Sequence, residues 1–289
     1  MQPFAYARPT SLAEAVALLD RLGPEALPLA GGTDLVIRLR DGTLRPSHVV
    51  DVKAVAELRP GIREADARLV IGATTVMTDI MAEPRVRRDF AALAEAAAVV
   101  GSVQIRNRAT LAGNLCNASP AADTAPPLLA YDATVVAVGP EGERRIPLDA
   151  FFVRSGLTTL ARGELVTAVE LPLPTRRRGA VHLRRTRRRG HDLASVTLAC
   201  SIDDAGVTRL AYGSVGPRPV LVLDDSGVLA DPGAPDSTRE SVLDRLLADA
   251  SPSPRSMRAG PDYRLAMLRV LARRGIQVAS QRLAGGRSS

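Results

Sequence analysis

Two glycine-bearing turns constrain the fold of this chain more than any other feature of its sequence. The first covers residues 30–34 (AGGTD) and directly follows a short apolar run, and the second covers residues 110–114 (TLAGN). Glycine accepts backbone angles that other residues avoid and lets a ligand approach the amide groups closely. Successive N–H groups in such turns form a concave site for an anion. We therefore expect a fold that presents both turns to an anionic ligand.

The two turns together suit a pyrophosphate group that is held from both sides. The hydroxyls of Thr33 and Thr110 and the amide of Asn114 would add donors beside the backbone N–H groups. Neither turn has the Gly-x-Gly-x-x-Gly fingerprint or the P-loop pattern, so a dinucleotide bound here would not be held by a Rossmann fold. A lone glycine pair after a strand is more often structural than functional. The polar side chains of residues 102–107 and 117–123, around the second turn, favour a binding site.

The hydrophobic periodicity predicts a mixture of helices and short strands. Ser11 and Glu14 form a capping box that begins the first helix. Residues 85–100 are predicted as one helix, and the polar stretch 101–123 is predicted as a long functional loop. The prolines and arginines of residues 172–178 indicate a domain boundary. Further strands are predicted at residues 49–52, 69–71, 134–138, 165–171, 196–202 and 220–223, further helices at residues 239–250 and 262–274, and a frayed tail at residues 285–289.

The length and the cysteine content limit the class of protein. The 289 residues suffice for two domains or one large one. No apolar run is long enough for a membrane helix, and the first residues lack the pattern of a secretion signal. Two cysteines, Cys116 and Cys200, give neither a disulfide framework nor a metal motif. We expect a cytoplasmic protein without a membrane span and without a metal site of its own.

The charged residues indicate an anionic ligand or partner and no catalytic side chain. The net charge of +7 comes with no nucleic-acid-binding motif, so we expect no nucleic-acid partner. The arginines of residues 184–189 favour a solvated face, with an acidic partner as the alternative. His48, His182 and His191 have no metal-ligand spacing and are interpreted as surface or core residues. With no catalytic residues predicted, the chemistry would belong to a cofactor.

Several segments carry a resemblance to a known family. They include LAGGTDLV at residues 29–36, the long stretch VGSVQIRNRATLAGNLCNASPAADTAPPLLAYDATV at residues 100–135, RRTRRRGHDLASV at residues 184–196 and YGSVGPRP at residues 212–219. In this order they resemble the FAD-binding (medium) subunits of the molybdenum hydroxylases. That family includes xanthine dehydrogenases, aerobic carbon monoxide dehydrogenases and aldehyde dehydrogenases.

The resemblance implies an α+β fold with two main parts. A two-part FAD-binding domain of the PCMH type would cover residues 1–174, with subdomains of about 1–58 and 59–174. A C-terminal α/β domain of the carbon monoxide dehydrogenase flavoprotein type would cover residues 175–289. The two glycine turns would hold the FAD pyrophosphate, Asp123 would contact the ribose, and Val100 and Val166 would lie near the flavin. The FAD-binding residues implied are Leu29, Ala30, Gly31, Gly32, Thr33, Asp34, Leu35, Val36, Val100, Thr110, Leu111, Ala112, Gly113, Asn114, Asp123, Val166 and Arg184.

Three positions depart from the family pattern. Ala112 stands where relatives usually have glycine, and Arg184 stands where they have a lysine that contacts FAD. The lysine that often follows the Phe151-Phe152 pair is missing. These departures leave FAD binding as the expectation and affect the tuning of the flavin and the choice of electron acceptor.

The resemblance also implies the partners. A large subunit with a molybdenum cofactor and a small 2Fe-2S subunit would deliver electrons to FAD, which would pass them to NAD, O₂ or a quinone in a heterotrimeric complex. Two alternatives stay open. The chain could be a free-standing FAD-dependent oxidoreductase that acts on a small organic substrate, or a binding module that has kept the fold without FAD.

Overall fold

The N-terminal part is a small parallel sheet with two helices. The computed structural model describes residues 2–285. Its strands lie in the order β1-β3-β2, and all pairs are parallel. Ser11 caps the first helix by accepting from the Glu14 amide at 3.3 Å, while the Glu14 carboxylate accepts from the Thr10 amide at 3.0 Å. The elements are β1 (Ala5–Ala7), α1 (Leu12–Leu22), β2 (Ala26–Leu29), α2 (Leu35–Arg40) and β3 (His48–Asp51).

A five-stranded antiparallel sheet follows, in the order β4-β5-β10-β6-β7. Its central strand β10 has a register shift between Val166 and Ala168 where it pairs with β6. Such irregularities bend a strand locally and redirect its side chains. The strands are β4 (Ile62–Ala65), β5 (Arg68–Gly72), β6 (Thr134–Gly139), β7 (Gly142–Pro147) and β10 (Leu165–Pro172), and a separate two-stranded ribbon joins β8 (Phe152–Arg154) to β9 (Leu157–Thr158).

The segment between β5 and β6 is helical, and the helix predicted at residues 85–100 is wrong as a single element. It breaks at Phe90, whose φ of −134° and ψ of 44° are not helical. The buried Phe90 ring packs edge-on against Tyr131 at 5.2 Å, so tertiary packing decides the break. The helices are α3 (Met77–Ala82), α4 (Pro84–Asp89), α5 (Ala91–Ala98), α6 (Val103–Arg106), α7 (Leu111–Cys116) and α8 (Ala125–Ala130), with α9 (Leu148–Phe151) after β7.

The stretch predicted as a long loop, residues 101–123, contains two of these short helices. Ser102 begins α6 by accepting from the Ile105 amide, and Thr110 begins α7 by accepting from the Gly113 amide. Hydroxyl side chains at these positions satisfy amides that a helix start leaves unpaired. The stretch is therefore more ordered than its polar composition indicates.

The C-terminal part is a four-stranded antiparallel sheet in the order β11-β12-β13-β14. It contacts helix α11, and its strands β11 and β12 also contact α5 and α8 of the preceding part. The elements are β11 (Arg178–Arg185), β12 (Val196–Asp203), β13 (Thr208–Gly213), β14 (Val220–Asp224), α10 (Asp236–Leu246) and α11 (Pro261–Gly285). Helix α11 is longer than the predicted 262–274, and residues 286–289 of the predicted tail lie outside the described residues.

The mixture of sheets and helices confirms the predicted fold class, while the exact domain boundaries stay a prediction. Within residues 2–285, no helix is both long enough and apolar enough to cross a membrane. The same residues contain no group of three or more His, Cys, Asp or Glu side chains that could hold a metal ion.

Asp51 at the end of β3 makes the N-terminal sheet sensitive to acid. Burial raises the pKa of Asp51, but hydrogen bonds from Lys53 and Tyr6 outweigh this effect, so the pKa lies below its ordinary value. Stability gained this way is present above the unfolded pKa of about 4 and is lost as the pH falls through the lowered folded value. In urea unfolding monitored by circular dichroism, Asp51→Asn should lose less stability than the wild type as the pH is lowered from about 5, just above the unfolded pKa, into the acid range. Equal losses in both proteins would contradict the assignment.

Candidate functional site

A cavity of about 650 Å³ lies where the three sheets approach one another. Its volume is in the range of small-molecule and cofactor sites. Most of the wall comes from the turn after β2, the segment from Val100 to Asp123, the bulged part of β10, and residues His191 and Leu193 after β11. Stretches that are distant in sequence thus form one site.

The first glycine turn presents backbone N–H groups to the cavity. Gly32 has a φ of +77°, a conformation that favours glycine. Within the described residues, the N–H groups of Gly32, Thr33 and Asp34 meet no hydrogen-bond acceptor. A Cβ atom added at Gly31 would lie 2.0 Å from the carbonyl oxygen of Arg108. The turn is therefore pressed against the chain that leads into the second turn, and its amides are free for an anion.

The second glycine turn is the start of α7. The Thr110 hydroxyl accepts from the Gly113 amide at 3.1 Å, and the Leu111 amide donates to the Thr75 carbonyl at 3.1 Å. The Asn114 carbonyl oxygen accepts from the Thr124 hydroxyl at 2.7 Å, which directs the two N–H donors of the amide elsewhere. Ala112 lies in the first turn of α7 without a positive φ, so alanine fits at this position without backbone strain.

Asp123 is the buried charge of the cavity wall. It is 8 % exposed, and its Oδ2 accepts from the Arg184 guanidinium at 2.6 Å. Its Oδ1 is buried and has no hydrogen-bond partner among the described residues. An unpaired buried carboxylate oxygen is costly unless a ligand supplies a donor. A hydroxyl group, such as that of a ribose, would satisfy it.

One part of the cavity wall is apolar. Val100 and Ile105 line it beside Leu165 and Val166 of β10. Val166 lies where the register of β10 shifts, and such an irregularity can redirect a side chain toward the cavity. Apolar side chains of this kind suit a flat aromatic ring system, whereas the amide-rich turns suit phosphates.

The structure brings most of the predicted site residues into one wall. The exceptions are Leu29, Val36, Leu111 and Arg184, which are not among the residues that line the cavity. Leu111 is fully buried in the core, and Val36 is 40 % exposed. The predicted residues that do line the wall are Ala30, Gly31, Gly32, Thr33, Asp34, Leu35, Val100, Thr110, Ala112, Gly113, Asn114, Asp123 and Val166.

The cavity wall also contains residues that were not predicted, among them Arg38, Ile105, His191 and Leu193. Arg38 lies on α2, one helical turn beyond the first glycine turn, so its helical spacing from that turn could have indicated that it lines the site. His191 and Leu193 come from the arginine-rich segment, and only the resemblance of residues 184–196 indicated a functional role. His191 is exposed, in agreement with its interpretation as a surface histidine, and it also lines the cavity.

The fold and the cavity define a dinucleotide-binding protein that does not use a Rossmann sheet. The unpaired Asp123 oxygen, the free amides beside Gly32 and the apolar patch around Val166 each fit a different part of FAD. Residues 2–174 match the family model described as the FAD binding domain in molybdopterin dehydrogenase, and residues 181–279 match the CO dehydrogenase flavoprotein C-terminal domain. The chain belongs to the family of FAD-binding subunits of molybdopterin dehydrogenases.

Relatives of known activity agree with this membership. The chain is 32 % identical over 280 residues to a xanthine dehydrogenase FAD-binding subunit of Escherichia coli O157:H7, covering 95 % of both chains. It is 32 % identical over 285 residues to the carbon monoxide dehydrogenase medium chain of Hydrogenophaga pseudoflava, covering 97 % of this chain and 98 % of that one. A solved structure of carbon monoxide dehydrogenase from Hydrogenophaga pseudoflava superposes with a TM-score of 0.88 at 31 % identity, covering 98 % and 99 % of the two chains. The predicted family, the cofactor FAD and the oxidoreductase class are confirmed.

Asp123→Asn should weaken FAD binding about 10-fold, which corresponds to about 1.4 kcal/mol. The change keeps the shape of the side chain but replaces a charged acceptor with a neutral amide. The measurement is a titration of the flavin-free chain with FAD, followed by flavin fluorescence. Unchanged affinity would show that the Asp123 carboxylate does not contact the cofactor.

Proposed function

We propose that this chain is the FAD-carrying electron-transfer subunit of a molybdenum hydroxylase complex. A large subunit with the molybdenum cofactor and a small 2Fe-2S subunit would be its partners, and the site of action would be the cytoplasm. NAD, O₂ or a quinone would accept the electrons. The single observation that carries the proposal is the cavity, whose wall joins free amides, an unpaired carboxylate oxygen and an apolar patch.

The residues of the wall have separate tasks in this proposal. The amides of Gly32 and Thr33, with the Thr110 turn opposite them, would bind the pyrophosphate. Asp123 would accept a hydrogen bond from the ribose through Oδ1. Val100 and Val166 would exclude water from one face of the flavin. FAD, when bound, accepts or donates one or two electrons, so it links one-electron carriers to two-electron acceptors.

The partners are inferred from the relatives. The Hydrogenophaga pseudoflava relative is named as the medium chain of carbon monoxide dehydrogenase, and the Escherichia coli relative as an FAD-binding subunit of xanthine dehydrogenase. This chain spans nearly the whole length of both, which supports the same kind of role. The substrate of the complex would bind to another chain and is not specified by this site.

The experiment is native purification of the tagged chain, with a visible absorption spectrum and identification of the proteins that accompany it. A flavin spectrum together with a molybdenum-containing large partner and an iron–sulfur small partner would support the proposal. A solitary flavin-loaded chain that oxidises a small organic molecule would replace it with the free-standing oxidoreductase. Failure to bind added FAD would favour a binding module instead.

The acceptor is tested on the same complex. The complex is reduced by its substrate without oxygen, and NAD, O₂ or a quinone is then added in separate reactions. The electron acceptor is the compound that restores the absorbance of the oxidised flavin within the time of one catalytic turnover. A complex that none of the three reoxidises would contradict this part of the proposal.

A further inference from the structure

Arg184 connects three pieces of the cavity wall without lining the cavity itself. Its side chain is 13 % exposed and extends from β11 in the C-terminal sheet. One terminal nitrogen, Nη1, donates to the Asp123 Oδ2 at 2.6 Å and to the Val99 carbonyl at 3.0 Å. The other, Nη2, donates to the Asp192 carbonyl at 2.9 Å.

Each of the three acceptors belongs to or adjoins a residue of the wall. Asp123 lines the cavity itself, Val99 precedes Val100, and Asp192 lies between the two lining residues His191 and Leu193. A planar guanidinium can serve several acceptors in fixed directions, whereas an ammonium group acts as a compact point charge. One arginine thus fixes the relative positions of the charged, the apolar and the C-terminal parts of the site.

A second residue of β11, His182, lies beside the same carboxylate. The His182 Nε2 lies 2.8 Å from the Thr197 hydroxyl and 3.5 Å from the Asp123 Oδ1. The His182 amide donates to the Glu95 carboxylate at 2.9 Å, which ties β11 to α5. Arg184 therefore holds the Asp123 Oδ2 by a hydrogen bond, whereas Oδ1 accepts no hydrogen bond among the described residues and has His182 beside it at 3.5 Å.

We propose that Arg184 is a positioning residue for FAD binding. It acts through Asp123 and the two backbone carbonyls, and it makes the FAD site depend on the C-terminal sheet. The inference rests on the proposed function insofar as Asp123 contacts FAD. It differs from a direct contact between residue 184 and the cofactor, because most of the effect of Arg184 on FAD affinity should then disappear once Asp123 has been replaced.

A double-mutant cycle separates these two roles. FAD affinity is measured on the full chain for the wild type, Arg184→Gln, Asp123→Asn and the double variant. We expect a loss of about 10-fold for Asp123→Asn and about 30-fold for Arg184→Gln, and about 30-fold for the double variant. Independent contacts would give about 300-fold in the double variant, and that result would overturn the positioning role. No FAD binding by the wild type would instead refute the proposed function.

The control is Arg185→Gln, the neighbouring residue of β11. Arg185 donates to the Tyr263 hydroxyl at 2.8 Å and is not among the residues that line the cavity, so its loss should change FAD affinity less than about 2-fold. The conservative variant Arg184→Lys keeps the charge beside Asp123 and should recover part of the affinity lost in Arg184→Gln. Recovery to the wild-type value would show that charge alone suffices and would contradict the role of the guanidinium.

A readout without FAD tests the same connection. Release of the Asp192 carbonyl should free the segment from Arg187 to Arg189, so trypsin should cleave there several-fold faster in Arg184→Lys than in the wild type. The Arg185→Gln protein should be cleaved at the wild-type rate. Equal rates in Arg184→Lys and the wild type would overturn the proposal even if the Arg184→Gln variant does not fold.

Discussion

Gly31→Ala is expected to weaken FAD binding at least about 100-fold, or about 2.8 kcal/mol. The added Cβ would lie 2.0 Å from the Arg108 carbonyl oxygen, 2.9 Å from its carbon and 3.2 Å from the Ala109 Cα. All three atoms belong to the backbone, so no side chain can rotate away. The two glycine turns must then separate, and the amides that would hold the pyrophosphate from both sides lose their common position.

The measurement is an FAD titration of the purified flavin-free variant, beside its circular dichroism spectrum. Gly260→Ala is the matched control, because an added Cβ meets no atom within 4 Å there. At Gly32 the positive φ strains any side chain, but the nearest atom is the Cδ1 of Leu29 at 2.9 Å, which can move. Gly32→Ala should therefore lose less affinity than Gly31→Ala. Wild-type affinity in Gly31→Ala would refute the arrangement of the turns.

The largest expected effect on stability comes from Gly179→Ala. Gly179 lies on β11 beneath helix α11, and an added Cβ would lie 2.0 Å from the Ala279 carbonyl oxygen and 2.6 Å from the Leu283 amide nitrogen. The helix must move away from the sheet, and such overpacking costs about 3 kcal/mol. Urea unfolding followed by circular dichroism measures the loss.

The same variant connects stability to the cofactor site. The clash lies between α11 and Gly179 of β11, so its relief also strains β11, which carries Arg184 and His182. The FAD affinity of Gly179→Ala should fall together with its stability, whereas Gly260→Ala should retain both. A variant as stable as the wild type would mean that the close approach of helix and sheet is not required.

Local signals in the sequence predicted the parts of the site that local chemistry determines. The Ser11 capping box begins α1 as expected, and both glycine turns line one cavity. The break at Phe90 could not be predicted, because it depends on Tyr131, which is distant in sequence. The partners of Arg184 escaped prediction for the same reason. Contacts between segments decide these features, and no pattern of neighbouring residues contains them.

Helix α11 extends beyond its predicted end for a different reason. Its buried residues Leu268, Leu271, Gly275 and Ala279 continue at helical spacing beyond the predicted end at residue 274. The sequence Arg273-Arg274-Gly275 resembles a helix end, with basic residues followed by glycine. In the fold, Gly275 instead lets the helix approach β12, since an added Cβ would lie 3.0 Å from the Cys200 Cβ. The periodicity of the apolar residues therefore predicts the end of α11 better than the pattern of basic residues followed by glycine does.

The cavity wall is built from stretches that are distant in sequence, and this construction also affects when the site forms. Contacts between segments far apart in sequence require long loops to close, and such contacts form late in folding. The Asp123–Arg184 pair and the approach of Gly31 to Arg108 both belong to this class. FAD binds only where these stretches have come together, so bound FAD should stabilise the folded chain against unfolding by mass action.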